Sequence, residues 1–250
     1  MTMPDLIVSC DWSISPRKRW LAAAKLSAGA SYEIAAPVQV DRIDDFFSTL
    51  RVSAPTGAIL AGFDFPIGIP RHYAEKAGIE QFTAFLTQFG EGLWVDFYRV
   101  AETLDQISLT RPFYPRTPGG TNKQQLADGL GLESVSDLLR VCDHSTVTRR
   151  KACEIFWTLG ASQVGRAAIS GWRDLLAPAA RDRRIAIWPF DGELSVLLDD
   201  GQIVAAEIYP REIYAHVGIA RFRSDFSPGA TGPGQFDSLV VRPQCRGRLG

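Results

Sequence analysis

The sequence predicts an α/β fold built on a mixed β-sheet. Three observations favour it: apolar segments with short connections within residues 6–40, an amphipathic segment after Asp41, and an almost wholly apolar segment at residues 58–65. Short connections are typical of antiparallel strands, whereas a helix between two strands allows them to be parallel. The order β-β-β-α-β is therefore expected before residue 66.

The first three strands are expected at residues 6–12, 19–27 and 32–40. Asp41 is a suitable N-cap for the helix that follows. That helix has an apolar face at i, i+3, i+4 and i+7, formed by Ile43, Phe46, Phe47 and Leu50. The next strand, residues 58–65, carries few polar side chains, as expected for a strand covered on both faces.

The rest of the chain is predicted to form a mainly helical segment followed by a group of strands. Residues 70–180 contain apolar residues at helical spacing, which predicts a mainly helical insertion. Strands are then expected at 185–188, 194–198 and 202–209, with Asp199-Asp200-Gly201 as a hairpin turn. The whole chain, residues 1–250, is predicted to form a single domain around this insertion.

Composition narrows the possible functions. The chain is 46% hydrophobic and 22% charged, with a net charge of −1, so a nucleic-acid partner would need local basic patches. It has no apolar run of about 20 residues that could cross a membrane, and no secretory signal, so a cytoplasmic location is expected. The cysteines form no CxxC pair, which disfavours structural zinc.

Acidic residues end three of the apolar strands. Asp11 follows residues 6–10, Asp64 follows residues 58–63, and Glu207 follows residues 203–206. Carboxyl ends of neighbouring parallel strands meet at one edge of a sheet, which is the usual ligand position in open α/β sheets. Facing carboxylates repel unless they are protonated or bridged, and Mg²⁺ or Mn²⁺ prefers such oxygen ligands.

The same residues have a simpler interpretation. An acid at the end of a strand can cap the following turn, or it can pair with an arginine. Two divalent ions about 3.5–4 Å apart, held by such carboxylates, would instead suit phosphodiester hydrolysis.

Four short motifs resemble a family of uncharacterised bacterial domains described as predicted nucleases with an RNase H-like fold. They are residues 10–13 around Asp11, residues 62–70 around Asp64, residues 207–211 beginning with Glu207, and residues 156–165. The similarity extends over nearly the whole chain. It implies a five-stranded mixed sheet in the order 3-2-1-4-5 with flanking helices.

The resemblance also implies a two-metal carboxylate site. Asp11, Asp64 and Glu207 match the family's acids, and Asp237, in the segment Phe236–Val240, resembles an acid of its final helix. After Val241 the chain departs from the family, because Pro243 and Gly247 interrupt helical structure.

The leading hypothesis is a nuclease that depends on Mg²⁺ or Mn²⁺. In it Asp11, Asp64, Glu207 and Asp237 act as catalytic metal ligands, and nucleic acid is the partner. A non-catalytic RNase H-like binding or scaffold domain is the alternative, suggested by the departure after Val241. An actin-like kinase is a third, since residues 11–15 resemble the start of a phosphate-binding hairpin. The sequence specifies no oligomeric state.

Overall fold

The computed structural model describes residues 2–147, 150–160 and 164–210. It has an α/β fold with a mixed seven-stranded sheet. The strands are β1 (Leu6–Asp11), β2 (Trp20–Leu26), β3 (Tyr32–Ile34), β4 (Val38–Gln39), β5 (Ile59–Phe63), β6 (Ile185–Ile187) and β7 (Ile203–Glu207). The α-helices are α1 (Phe46–Ser53), α2 (Arg71–Ala77), α3 (Phe82–Leu86), α4 (Lys123–Gly129), α5 (Val164–Gly171), α6 (Ala177–Ala179) and α7 (Leu194–Asp199).

The strand order is β3-β2-β1-β5-β7-β6, with β4 also paired to β2. β1 pairs antiparallel with β2 and parallel with β5, so the predicted crossover through α1 is confirmed. β7 is parallel to both β5 and β6. The order differs from the five-stranded prediction, because the segment 32–40 is divided between β3 and β4, and β6 adds a parallel strand beyond β7.

The predicted strand at residues 194–198 is wrong, since this segment forms helix α7. Leu194, Leu197 and Leu198 have the i, i+3, i+4 spacing of a helix face, and a short apolar run does not distinguish a strand from a helix. Leu197 and Leu198 are buried against the sheet residues Ala58, Ala186 and Val204. Residues 199–201 consequently lie at the C-terminal end of α7 and not in a hairpin.

The two faces of the sheet carry different cores. Alternate residues of the central strands point to the main core, and these are Leu6, Val8, Cys10, Ile59, Ala61, Phe63, Ile203 and Ala205. On the opposite face, Ala58, Ala186 and Val204 pack against Leu197 and Leu198 of α7 in a smaller cluster. This alternation decides on which face each strand-end acid lies.

The segment from residue 70 to 180 covers the main core with short helices and irregular loops rather than long helices. α5 continues through a π-helical turn, Trp172–Leu176, into α6. Trp172 is fully buried, and its indole N–H donates to the carbonyl oxygen of Pro66 at 2.7 Å. Among the described residues, no helix is long and apolar enough to cross a membrane.

We expect Gly165→Ala to destabilise the fold by about 1–3 kcal/mol, because overpacking a fixed core costs that much. A Cβ at Gly165 would lie 2.5 Å from the carbonyl oxygen of Ile155, which belongs to the backbone and cannot rotate away. Chemical denaturation measures the change in the free energy of unfolding. Gly119→Ala is the matched control, since a Cβ there meets no atom within 4 Å. Equal stability of the two variants would contradict the packing described for α5.

Candidate functional site

Asp11 and Asp64 lie side by side at the carboxyl edge of the sheet. Cys10 and Phe63 are partners in the parallel pairing of β1 with β5, and each acid follows one of them. The amide of Asp64 donates to the carbonyl oxygen of Cys10 at 3.3 Å, which extends the pairing to the acid. The two carboxyl groups are close enough for a side-chain hydrogen bond between them to contribute to the pKa of each. This part of the predicted convergence is present in the structure.

Trp12 fixes the position of the Asp64 carboxylate. Its backbone N–H donates to Asp64 Oδ1 at 2.8 Å. The Trp12 side chain is itself held, because its indole N–H donates to the hydroxyl of Ser170 at 3.1 Å and the Arg19 guanidinium lies 4.8 Å from the ring centroid. The ring also packs edge-on against Phe63. Asp64 is therefore anchored through a buried residue, whereas Asp11 is exposed.

Crowding of the two acids changes their proton affinity. Burial, together with the nearby charge of Asp11 and the hydrogen bond between the two side chains, raises the pKa of Asp64 to about 6, although the Trp12 N–H opposes the shift. Burial also raises the pKa of Asp11, and its hydrogen bond with Asp64 partly offsets that rise. One proton shared between the two carboxyls relieves their repulsion at mildly acidic pH.

The donor chemistry of this pair fits a hard divalent cation. Two carboxylates that repel each other gain from a shared positive charge, and Mg²⁺ and Mn²⁺ prefer oxygen ligands. No salt bridge joins Asp11 or Asp64 to a cationic side chain within residues 2–147, 150–160 and 164–210. In the same residues, no group of three His, Cys, Asp or Glu side chains is arranged to hold a metal ion.

Glu207 ends the neighbouring strand but lies on the other face of the sheet. It pairs in register with Phe63, which pairs with Cys10, and paired residues share a face. Asp11 follows Cys10 and points to the opposite face, because successive side chains of a strand alternate. The structure therefore brings Asp11 and Asp64 together and does not bring Glu207 to them.

Arg140 binds the Glu207 carboxylate directly. Its Nη1 donates to Glu207 Oε2 at 2.6 Å and its Nη2 donates to Oε1 at 2.8 Å. The amide of Ile67 donates to the same Oε2 at 2.8 Å. A bidentate guanidinium supplies the positive charge that a metal ion would otherwise provide. Glu207 thus follows the simpler interpretation of a strand-end acid, which is pairing with an arginine.

Asp143 completes this buried network. Arg140 Nε donates to Asp143 Oδ2 at 2.9 Å, its Nη2 donates to Oδ1 at 2.8 Å, and its Nη1 also donates to the carbonyl oxygen of Ile67 at 2.9 Å. Arg140 and Asp143 are 5% and 1% exposed, so the ion pair is withdrawn from water. Sequence reasoning missed Arg140, and its only local signal is an acid three residues later. Asp237, the remaining predicted ligand, lies outside the described residues.

We expect Arg140→Ala to lower the free energy of unfolding by about 3–5 kcal/mol, because two acids would remain in the protein without their buried partner. Thermal and chemical denaturation measure the loss. Arg42→Ala is the control, since the Arg42–Asp45 pair has an arginine that is 75% exposed and should contribute at most about 1 kcal/mol. Similar losses in the two variants would show that the Arg140 network is not formed.

We expect Asp64→Asn to raise stability above pH 6 and not at pH 4. An unfolded aspartate loses its proton near pH 4, whereas Asp64 in the fold keeps its proton up to about pH 6. The folded state therefore binds more protons between these values, and wild-type stability falls as pH rises through them. An asparagine amide imitates the protonated acid and avoids that loss, which we place at about 1–2 kcal/mol.

Melting temperatures of both proteins from pH 4 to pH 8 measure this effect, and a gain of about 2–4 °C per kcal/mol is expected. Asp44→Asn, which replaces an exposed carboxylate, is the matched control and should not raise the melting temperature at pH 8. An Asp64→Asn variant less stable than wild type at pH 8 would exclude the crowded pair.

Comparisons of the chain with protein-family models, with curated proteins and with solved structures found no match.

Proposed function

We propose that the protein is a divalent-metal-dependent phosphodiester hydrolase, specifically a nuclease, whose metal site includes Asp11 and Asp64. The observation that carries the proposal is the contact between these carboxyls at the carboxyl edge of parallel strands, with the pKa of Asp64 raised to about 6. Strongly shifted carboxyls in such a position are typical of functional sites. Mg²⁺ and Mn²⁺ are the cations that suit the two oxygen donors.

The arrangement of the central strands supports an RNase H-like assignment. Within the seven-stranded order, the path β3-β2-β1-β5-β7 has three antiparallel strands followed by two parallel ones. The resemblance implies five strands in the order 3-2-1-4-5, and the described sheet differs from that order in the division of the third strand into β3 and β4. β6 extends it at one edge. Fold alone does not specify chemistry, so the proposal depends on the acids.

Each acid has a distinct part in the proposed site. Asp64 is held by the Trp12 N–H, which donates to its Oδ1. Asp11 is exposed and available to a ligand from solvent. Asp11 and Asp64 would have to lose their shared proton to hold a divalent cation, so affinity for the ion should increase with pH. When bound, Mg²⁺ or Mn²⁺ supplies charge stabilisation to a phosphodiester. Asp237 is a further proposed ligand from the resemblance, whereas Glu207 is occupied by Arg140.

We expect wild-type protein to cleave at least one of single- or double-stranded DNA and RNA in the presence of Mn²⁺ or Mg²⁺. Asp64→Asn and Asp11→Asn should each reduce the rate by about 100-fold or more, because each removes a charged oxygen ligand from the cation. Gel-based cleavage assays with labelled substrates measure the rates, with EDTA as the metal-free reference.

Asp44→Asn is the control for loss of one surface carboxylate and should retain wild-type activity. Because Asp64→Asn is expected to fold at least as stably as wild type, its loss of activity would not reflect unfolding. Cleavage that is unchanged in Asp64→Asn, or no cleavage of any of the four substrates, would reject the nuclease proposal.

A non-catalytic binding or scaffold domain is the second candidate. The observation that favours it is the Arg140–Glu207 pair, which leaves two strand-end acids near each other in the described part of the chain. Calorimetric titration with Mn²⁺ at pH 7.5 separates the two candidates. Binding that disappears in Asp64→Asn supports the metal-dependent enzyme, whereas no binding at millimolar Mn²⁺ supports the non-catalytic domain.

A further inference from the structure

A cleft of about 980 Å³ opens at the carboxyl ends of β5, β6 and β7, on the face of the sheet that carries Glu207. Its volume is at the upper end of the range of about 300–1,000 Å³ that is common for small-molecule sites. The residues that matter to its chemistry are Ile67, Arg71, Arg140, Trp188, Phe190 and Glu207. Neither Asp11 nor Asp64 lines it, so it is distinct from the carboxylate pair.

Phe190 forms an ordered aromatic wall of the cleft. Its ring is 42% exposed, yet it packs against Phe82 with ring centroids 5.1 Å apart. Gly68 lies beneath it, and a Cβ there would come within 2.9 Å of Phe190 Cζ. Gly68 also has a φ of +112°, which disfavours any other residue. The ring is therefore held in place by Phe82 and Gly68, which also line the cleft, and its exposed part is available to a flat ligand.

Arg140 and Glu207 form a polar end of the cleft at which Glu207 can accept a hydrogen bond. All five N–H groups of Arg140 are directed at Asp143, Glu207 and the carbonyl oxygen of Ile67. The guanidinium consequently has no donor left for an anion. Glu207 Oε1 accepts one hydrogen bond from the described residues, so it keeps capacity for another donor. A ligand reaching this end should present an N–H group.

The charges around the cleft also disfavour an anionic ligand. Two cationic residues, Arg71 and Arg140, and three acidic ones, Glu80, Asp191 and Glu207, line it. Their sum is one negative charge, and Arg140 is already neutralised by its partners. A phosphate group would gain little here, whereas a neutral ring with amino hydrogens would suit both Phe190 and Glu207.

We infer that the cleft binds a planar heteroaromatic ring bearing an exocyclic amino group, that is, the base of an amino-bearing nucleoside. The ring stacks on Phe190, and its amino group donates to Glu207. Carboxylates accept hydrogen bonds from the amino group of cytosine in this way. Binding itself does not depend on the carboxylate pair. Glu207 lies on the face of the sheet opposite to Asp11 and Asp64, so any role of a bound base in cleavage rests on the proposed function.

Calorimetric titration of the full chain with cytidine and with uridine, in EDTA, tests the inference. We expect cytidine to bind about tenfold more tightly or better, because its exocyclic amino group donates to Glu207, whereas uridine has no amino group and only a ring N–H between two carbonyl oxygens. Uridine places carbonyl oxygens on both sides of its ring N–H, and these would face the Glu207 carboxylate. Equal binding of the two nucleosides, tighter binding of uridine, or no binding of cytidine at millimolar concentration would overturn it.

Substitutions in the cleft then test whether the ring of the ligand stacks on Phe190. Phe190→Ala should weaken cytidine binding by about five- to 100-fold, the range expected when a stacking aromatic is removed. Gly68→Ala should weaken it as well, by displacing the Phe190 ring. Leu104→Ala is the control, because Leu104 is 47% exposed and lies outside the cleft. Unchanged binding in Phe190→Ala, with folding verified by thermal melting, would also overturn the inference.

Asp64→Asn separates this inference from the proposed nuclease. The variant should bind cytidine with wild-type affinity even though its cleavage activity is lost. If wild type fails to cleave nucleic acid but binds cytidine in a Phe190-dependent way, the nucleoside site stands and the nuclease proposal falls. Loss of cytidine binding in Asp64→Asn would show that the ligand binds at the carboxylate pair and not in the cleft.

Discussion

The parallel pairing of β1 with β5 determines the chemistry at the edge of the sheet. These strands come from distant parts of the chain, and the register Cys10↔Phe63 places an acid immediately beyond each partner. A shift of one residue would turn Asp64 towards the main core and separate it from Asp11. The fully buried side chains of Ala61 and Phe63 oppose such a shift, because they would leave the main core. The register of the apolar core thus keeps the acids in contact.

The charges of the acids at neighbouring strand ends are neutralised in two different ways. Glu207 is paired with a buried guanidinium whose donors are fully used, which makes that carboxylate a permanent part of the structure. Asp11 and Asp64 share a hydrogen bond and have raised pKa values, so their neutralising charge can be exchanged. A proton neutralises this pair at low pH, and under the proposed function a divalent cation would do so at higher pH. The candidate functional site is therefore the pair of Asp11 and Asp64 and not all three acids.

Periodicity and connection length were sufficient to predict much of the fold. The antiparallel start, the helix around Phe46 and Leu50, and the parallel return at residues 58–65 all follow from local patterns. The same patterns failed at residues 194–198, where an apolar run suited both a strand and a helix. Tertiary contacts with Ala58 and Val204 decided in favour of the helix. The edge position of β6 also depends on packing, which short-range sequence patterns do not record.

The sequence predicted the edge of the sheet at which the acids lie, but not the face on which each of them lies. Strand-end positions indicated that Asp11, Asp64 and Glu207 would lie at one edge, because parallel strands end together. Which face each acid occupies depends on register, and that requires knowing that Phe63 is opposite Glu207. Arg140 could not be found from sequence, since it reaches Glu207 from a short turn 67 residues away.

Trp12 connects the helical layer to the electrostatics of the sheet edge. Its main chain holds Asp64, while its indole is tied to the buried hydroxyl of Ser170 in α5. The pKa of Asp64 therefore depends on how α5 packs against the sheet. A substitution in the interior of the helical layer would therefore alter the proton affinity of Asp64, even though it lies far from any solvent-exposed acid.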